Sequence, residues 1–369
     1  MKAACPICSS EKNREIYYDN NAPLFQNKTY LSKEEAIAIE KGSIHLYFCE
    51  DCGFVWNLTF EPSRLNYNSD YQNEQSYSSI FLNHLMEVRA KIMSKTSPGS
   101  NIVEIGCGKG TFLELLNKTG KYDICGYDPA YEGESEFIKK CYYPPDGEYN
   151  QADLFIMRHV LEHVPDPLNF IKNIFEANDN KGMMYIEVPD FDWIVKKSAF
   201  WDISYEHCNY FSLPSLKLMF SPLDLGYLFG DQYLFIIGSP DFKVNKINNY
   251  EMQRDDFSSL TDNLTFCREF LEGLSNVAVW GAAAKGANFV RIIDPECKKI
   301  KYAVDINPKK QEKYIGGSGH KIISPEKLQK MKDIENIIIM NENYAEEIME
   351  IMNHWDGDFY LLDKKFKKI

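Results

Sequence analysis

Along the middle of the chain, short apolar runs of strand length alternate with amphipathic stretches of helix length. Apolar runs at 101–105, 122–127, 153–157 and 183–188 predict strands. Segments 110–118 and 167–177 between them carry helical spacing, and the second opens on Asp166 with Pro167 directly behind it, a helix-start signal. Strands separated by helices imply a parallel sheet with right-handed crossovers. The alternation restarts near the C-terminus, with strands expected at 276–280, 300–304, 337–340 and 359–362 and helices at 286–293, 326–331 and 344–352. A second α/β unit is therefore expected. Ahead of both, residues 44–48 alternate with period two and 54–58 form another short apolar run. Ile80, Phe81, Leu85, Val88, Ile92 and Met93 then mark an amphipathic helix over 77–94, broken by Ser97-Pro98-Gly99-Ser100. Residues 190–209 show no clear period and read as a long irregular stretch, while 212–215 start another helix and 233–237 a strand.

A chain of 369 residues exceeds what one core usually fills, so two or three compact units are expected. The polar, asparagine-rich stretch 239–256 is a natural boundary, and the division that follows is 1–75, 76–240 and 241–369. No apolar run reaches the roughly 18 to 20 residues of a membrane span, and no signal-peptide core follows Met1, so a soluble cytoplasmic protein is expected. A net charge of −13 repels polyanions. The one dense basic cluster, Lys364-Lys365-Phe366-Lys367-Lys368, reads as a solvated tail, so nucleic acid is not an expected partner. The oligomeric state stays open, and a monomer is compatible with everything in the sequence.

Five motifs carry the candidate chemistry. Cys5-Pro6-Ile7-Cys8 and Cys49-Glu50-Asp51-Cys52 are two C-x-x-C knuckles that together supply four thiolates, the shell of a closed structural zinc site. The 40 residues between the knuckles require an insertion near 32–40 to loop out. Val103-Glu104-Ile105-Gly106-Cys107-Gly108-Lys109-Gly110 stands where a strand meets a helix, so its backbone can approach a bound nucleoside closely. Asp128 ends the next strand, placed to hold a ribose diol. His159-Val160-Leu161-Glu162-His163 matches a metallopeptidase pattern, but Pro165 cuts it short and no third ligand follows. Tyr205-Glu206-His207 with Tyr210 gathers an acid, a histidine and tyrosines that suit acid/base work. The alternative is a capped loop with buried aromatics. Trp280-Gly281-Ala282-Ala283-Ala284-Lys285-Gly286, with Asp305 ending the next strand, is a degraded dinucleotide fingerprint, with or without a ligand.

The glycine loop with Glu104 and Asp128 resembles the cofactor site of class I methyltransferases, since the dinucleotide order of glycines is absent. Nearly the whole chain resembles the three-part C-methyltransferases that include the deoxysugar 3-C-methyltransferases. The likeness rests on both knuckles, the loop, Leu161-Glu162-His163, Tyr205-Glu206-His207 with Tyr210-Phe211-Ser212, and Trp280-Gly281 with Val304-Asp305-Ile306-Asn307. It implies a class I methyltransferase Rossmann-like α/β domain, preceded by a small zinc-binding domain and followed by a second Rossmann-like domain. It further implies S-adenosylmethionine on Glu104, Gly106, Gly108, Gly110, Asp128 and His159, zinc on Cys5, Cys8, Cys49 and Cys52, and C-methylation of a nucleotide-linked keto sugar. In that chemistry His207, supported by Glu206 and assisted by His163, removes a proton next to a ketone at an imidazole pKa near neutrality. Tyr77, Tyr205 and Tyr210 are candidates to hold the enolate oxygen. Ser204 stands where the sugar enzymes carry a tyrosine. The alternatives are O-methylation of a sugar or glycan precursor and a zinc-dependent nucleic-acid-binding protein.

Overall fold

The computed structural model describes residues 4–67, 70–145, 150–242, 257–363 and 365–369. Most of the boundary stretch expected at 239–256 lies outside them.

Two mixed, mostly parallel sheets organise the chain. The central one runs Phe220–Leu228, Tyr233–Pro240, Met183–Pro189, Leu154–Arg158, Asn101–Ile105, Asp123–Tyr127 and Ile138–Lys139 in spatial order. Its last five strands pair in parallel, and Tyr233–Pro240 joins Met183–Pro189 antiparallel. The order reverses between Asn101–Ile105 and Leu154–Arg158, and a crevice opens at the carboxyl ends of strands on either side of such a switch point. This is the class I methyltransferase arrangement. The second sheet is centred on Val277–Trp280, flanked in parallel by Ile300–Val304 and Asn336–Ile339.

The N-terminal segment builds a four-stranded sheet from Asn13–Pro23, Lys41–Cys49, Val55–Asn57 and Asn209–Tyr210. Two features cross the sequence divisions. Asn209–Tyr210 returns from the central region to pair with Val55 and Trp56. Thr29–Tyr30 leaves the N-terminal segment to pair with Tyr314–Ile315 on the edge of the C-terminal sheet. The insertion expected to loop out instead forms the helix Lys33–Ile37, capped by the Ser32 side chain, and its Ala36 carbonyl accepts the Gly317 N–H at 2.7 Å. The hydrophobic core follows the same pattern, for Ile44, Leu46 and Phe48 pack in one cluster with Trp201, Tyr205, Val277 and Val279. Each such side chain contributes roughly 1.5–3 kcal/mol on full burial, so the three stretches stabilise one another.

Three stretches depart from expectation. Asn13–Pro23 was not foreseen as a strand, because its polar run lacks alternation and its register slips twice against Lys41–Cys49. The irregular stretch after 190 contains the helix Phe191–Lys197, capped by the Asp190 side chain. Phe191, Trp193, Ile194 and Val195 are all buried there, and at only seven residues the helix leaves too narrow a polar side, Asp192 and Lys196, to show a period. In the basic tail, Phe366–Lys368 is an edge strand on Asp358–Leu362, and the Phe366 ring stacks on Phe270 at 4.0 Å. The exposed lysines are solvated, but the segment is docked.

Candidate active site

The loop after Asn101–Ile105 turns through three left-handed glycines, with φ of +72° at Gly106, +57° at Gly108 and +83° at Gly110. They do different things. A Cβ at Gly106 would meet Val160 at 2.4 Å and one at Gly110 would meet Ile138 at 2.4 Å, so both serve packing. Gly110 also starts the helix Thr111–Asn117 and does not line the cavity. A Cβ at Gly108 would meet nothing within 4 Å, because that position faces open space. Asp128 accepts the Gly108 N–H and the Ala130 N–H, each at 2.8 Å, which fixes its carboxylate beside the loop. Burial raises its pKa, and those two N–H groups oppose the rise. Glu104 is 2% exposed and its Oε2 has no partner. Burial pushes it up to about 7, with Arg158 opposing and Asp128 and Glu187 adding to the rise.

Behind this loop lies a charged cluster that sequence reasoning missed. Glu187 is fully buried and takes the His84 Nε2 at 3.1 Å, the Tyr185 hydroxyl at 2.6 Å and the Arg158 Nη2 at 3.3 Å. Burial alone would raise its pKa, but Arg158, His159 and His84 hold it well below the carboxylate range. His159, at φ +54°, stands 3.4 Å from Glu187 Oε1 and 3.3 Å from Glu162 Oε1. Burial disfavours its cation, yet the two carboxylates outweigh that and push it up to about 9. No sequence signal marks the cluster, since Glu187 sits within a plain apolar strand and His84 within an amphipathic helix.

Glu104, Asp128, Arg158 and His159 line a cavity of about 690 Å³ at the carboxyl ends of the parallel strands of both sheets, with Glu187 and His84 behind them. That volume falls within the range of small-molecule sites. Gly106, Gly108 and Asp128 of the first loop, Gly281, Lys285 and Asp305 of the second, and His163 and His207 all line this cavity. The two histidine rings meet edge to face with centroids 4.9 Å apart. His163 Nδ1 lies 2.9 Å from the Glu206 carbonyl oxygen and 3.3 Å from the Tyr67 hydroxyl. Both rings are half-buried and line the cavity. Burial, with His207 beside it, brings His163 down to about 4; burial, with His159 and Lys285, brings His207 down to about 3. The near-neutral imidazole expected from the sequence is thus corrected by desolvation, and both rings are neutral at physiological pH.

The remaining expected residues separate. Tyr77 lines the cavity. Tyr205 does not; it is fully buried, its hydroxyl accepts the Glu61 N–H at 3.1 Å, and its ring fills the space a Cβ at Gly42 would need. Tyr210 is also off the cavity, its hydroxyl spanning the N–H and carbonyl of Ser204. Tyr205 and Tyr210 therefore cannot reach an enolate oxygen in the cavity, because packing and backbone hydrogen bonds fix them in the core. Glu206 lies behind the wall, 1% exposed, accepting the Gln26 N–H at 2.6 Å with Tyr71 and Tyr67 beside it. Its side chain does not hold His207, and burial pushes it up to about 7. Tyr67 and Tyr71 line the cavity in its place. Their four-residue spacing in a turn-rich stretch gave no hint of this.

The second loop is built on the same plan. Gly281 takes φ +112°, and Asp305 accepts the Ala282 N–H at 3.2 Å. A Cβ at Gly286 would come within 1.7 Å of the Gly281 carbonyl oxygen, so this glycine lets the helix Ala284–Ile293 touch its own loop. Lys285 is ion-paired with Asp202 and lies 4.6 Å over the Trp193 ring.

Away from the cavity, the sulfurs of Cys5, Cys8, Cys49 and Cys52 all lie within 4.8 Å of one another. The nearest pairs, Cys5 with Cys52 at 3.6 Å and Cys8 with Cys49 at 3.5 Å, are far too long for disulfides. Four converging thiols from two turns fit a tetrahedral soft-metal shell.

Comparison with known proteins agrees with this architecture. A methyltransferase domain family matches residues 72–227. The chain is an S-adenosylmethionine-dependent methyltransferase. A C-methyltransferase C-terminal domain family matches residues 240–361 of the same methyltransferase. The C-methyltransferase NovU of Streptomyces niveus is 24% identical, over 94% of this chain and 91% of its own. Among solved structures, Burkholderia thailandensis 1,6-didemethyltoxoflavin-N1-methyltransferase, with 1,6-didemethyltoxoflavin and S-adenosylhomocysteine bound, is 16% identical at a TM-score of 0.33. It covers 44% of this chain and 78% of its own. The methyltransferase bound to the Haloferax volcanii Trm112 activator is 13% identical at 0.36, covering 46% and 95%. The fit of the cofactor is seen in the chain itself, in the open face of Gly108 and the unpartnered buried Glu104 Oε2. Among the described residues, no helix is long and apolar enough to cross a membrane.

Proposed function

We propose that this methyltransferase transfers its methyl group to a carbon next to the ketone of a nucleotide-linked sugar. The observation that carries the reading is the pair of imidazoles of His163 and His207, edge to face with centroids 4.9 Å apart, lining the same cavity as the cofactor loop and the second Rossmann-like loop. A carbon nucleophile needs a base, because only a proton α to a carbonyl is acidic enough to leave. His207 is the group assigned to take it, with His163 beside it and Tyr77 or Tyr67 donating to the enolate oxygen; one such donor is worth a few kcal/mol. Glu206 orients the His163 ring through its backbone carbonyl.

The cofactor belongs on Gly106, Gly108 and Asp128, with Glu104 and His159 around its methionine end and Gly110 shaping the turn. When bound, it supplies an electrophilic sulfonium methyl group. Zinc on Cys5, Cys8, Cys49 and Cys52 closes the N-terminal unit, and the divisions 1–75, 76–240 and 241–369 are kept as working units. A cytoplasmic site of action and no nucleic-acid partner complete the proposal. The relative's description as a C-methyltransferase supports carbon as the acceptor.

The test is turnover of a panel of nucleotide-linked keto sugars with a carbon-13 methyl donor, read by NMR. A new C–CH3 signal is expected. An O–CH3 signal would replace this reading with O-methylation on the same scaffold. Metal analysis should return one zinc per chain, lost when all four cysteines are replaced by Ser.

A further inference from the structure

We propose that residues 73–78 form a strap over the cofactor loop that lifts to admit S-adenosylmethionine and release S-adenosylhomocysteine, and that Glu347 of the C-terminal unit is the clasp that holds it shut. Asn73, Glu74, Gln75, Tyr77 and Ser78 line the cavity. The Glu74 carboxylate accepts the Thr111 hydroxyl at 3.2 Å, and Thr111 opens the helix that follows Gly110. The strap therefore lies against the loop assigned to the cofactor.

Its two ends are tied and its middle is not buried. Before it, Tyr71 pairs with Lys28, and Gln72 donates its N–H to the Asn27 carbonyl at 3.0 Å. At its end Ser78 caps the helix Ser79–Lys95, accepting the Phe81 N–H at 3.3 Å. Residues 73–78 form neither helix nor strand, and none from 73 to 77 is buried. A segment with so little buried apolar surface opens at a far smaller cost than the sheet beneath it.

The clasp comes from a distant part of the chain. Glu347 accepts the Ser78 hydroxyl at 2.6 Å, the Ser79 N–H at 2.7 Å and the Ser79 hydroxyl at 2.6 Å. Burial alone would raise its pKa, but these donors outweigh burial and hold it below the usual carboxylate range. An anion thus sits at the start of the helix, where the helix dipole favours negative charge. Nearby, the Tyr344 hydroxyl donates to Gln75 Oε1 at 3.1 Å. The frame behind the clasp is fixed without the strap. Asn341 and Gln232 exchange amide hydrogen bonds at 2.8 and 3.0 Å, and Asn343 donates to the Phe229 carbonyl at 2.7 Å. The C-terminal unit therefore stays on the edge of the central one while the strap moves.

The inference rests on the placement of the cofactor at Gly106, Gly108 and Asp128. It has a kinetic signature. A damaged site releases its ligand faster but does not admit it faster, whereas an unclasped gate does both. The experiment follows S-adenosylhomocysteine on the immobilised full chain by surface plasmon resonance, in wild type and Glu347→Ala. Association and dissociation rates are both expected to rise, by about tenfold for the loss of a charge-assisted clasp. An unchanged association rate overturns the strap, whatever the dissociation rate does. Should Glu347→Ala fail to fold, Ser79→Ala decides, because it removes one of the three donors at an exposed position. A smaller rise in both rates is expected there, and an unchanged association rate again overturns the proposal. Gly108→Val separates the two readings. Wild-type affinity in that variant overturns the cofactor placement and the strap with it; weakened affinity there, beside unchanged rates in Glu347→Ala, overturns the strap alone.

Discussion

The two glycine loops of this chain follow one plan and differ in what their glycines are for. In each, a parallel strand ends in a left-handed glycine and an acid at the end of the next strand accepts a loop N–H, Asp128 from Gly108 and Asp305 from Ala282. At Gly108 the missing side chain leaves open space, and Glu104 beside it is buried with an unpartnered oxygen. At Gly286 the missing side chain is filled by the loop's own carbonyl, and Lys285 is already paired with Asp202. Gly108 thus leaves volume a ligand can take, whereas Gly286 is held by its own loop, although Gly281, Lys285 and Asp305 still line the cavity.

The largest effect is expected from Gly286→Val. A Cβ placed 1.7 Å from the Gly281 carbonyl forces the helix off its loop, and a loss above about 4 kcal/mol is expected in denaturant unfolding. A wild-type unfolding midpoint would show that the second loop has room after all. Next comes Glu104→Gln. With a folded pKa of about 7 against an ordinary 4.5, the unfolded chain releases this proton first as pH rises, so the wild-type chain loses stability between those values. The loss is on the order of 3 kcal/mol, and the glutamine variant escapes it. The gap in melting temperature between variant and cofactor-free wild type should widen from pH 5 to pH 8; a gap that does not change with pH would mean that Glu104 does not titrate there.

Gly108→Val separates binding from folding. The left-handed φ of +57° costs the new side chain about 1–2 kcal/mol, with no clash. Its main effect should be on S-adenosylhomocysteine affinity, down about 100-fold by calorimetry, or about 2.7 kcal/mol. Equal affinities would take the cofactor away from this loop. The smallest effect is expected from Asp202→Asn, which leaves Lys285 without its carboxylate in a mostly buried pair. About 1 kcal/mol of stability should go, read from the same unfolding curves. No loss would mean that Lys285 finds another anion in the cavity.

Both α/β units and the strands that carry the cofactor loop were legible because buried parallel strands are apolar runs and Asp166-Pro167 announces its helix. The four-cysteine cluster and the Glu104 and Asp128 positions were legible for a similar reason, since each motif is local. What was not legible depends on distant pairing. Tyr205 and Tyr210 read as chemistry because a loop dense in acids and aromatics looks the same whether it faces a cavity or the core. Tyr67 and Tyr71 enter the site only because the N-terminal sheet closes over the central one, and nothing in their spacing encodes that. His159, Glu162 and His163 of the metallopeptidase-like pattern all line the cavity, which a pattern cut short by Pro165 did not announce.

The claim at the centre of this account is that the cavity makes an enolate before any methyl group moves. It is tested by incubating the wild-type chain and His207→Ala with a nucleotide-linked keto sugar and S-adenosylhomocysteine in deuterated water, and following the α-carbon proton by NMR. The account predicts exchange of that proton by the wild-type chain and its loss in His207→Ala. Equal exchange rates in the two proteins, or no exchange in either while methyl transfer proceeds normally, would contradict it.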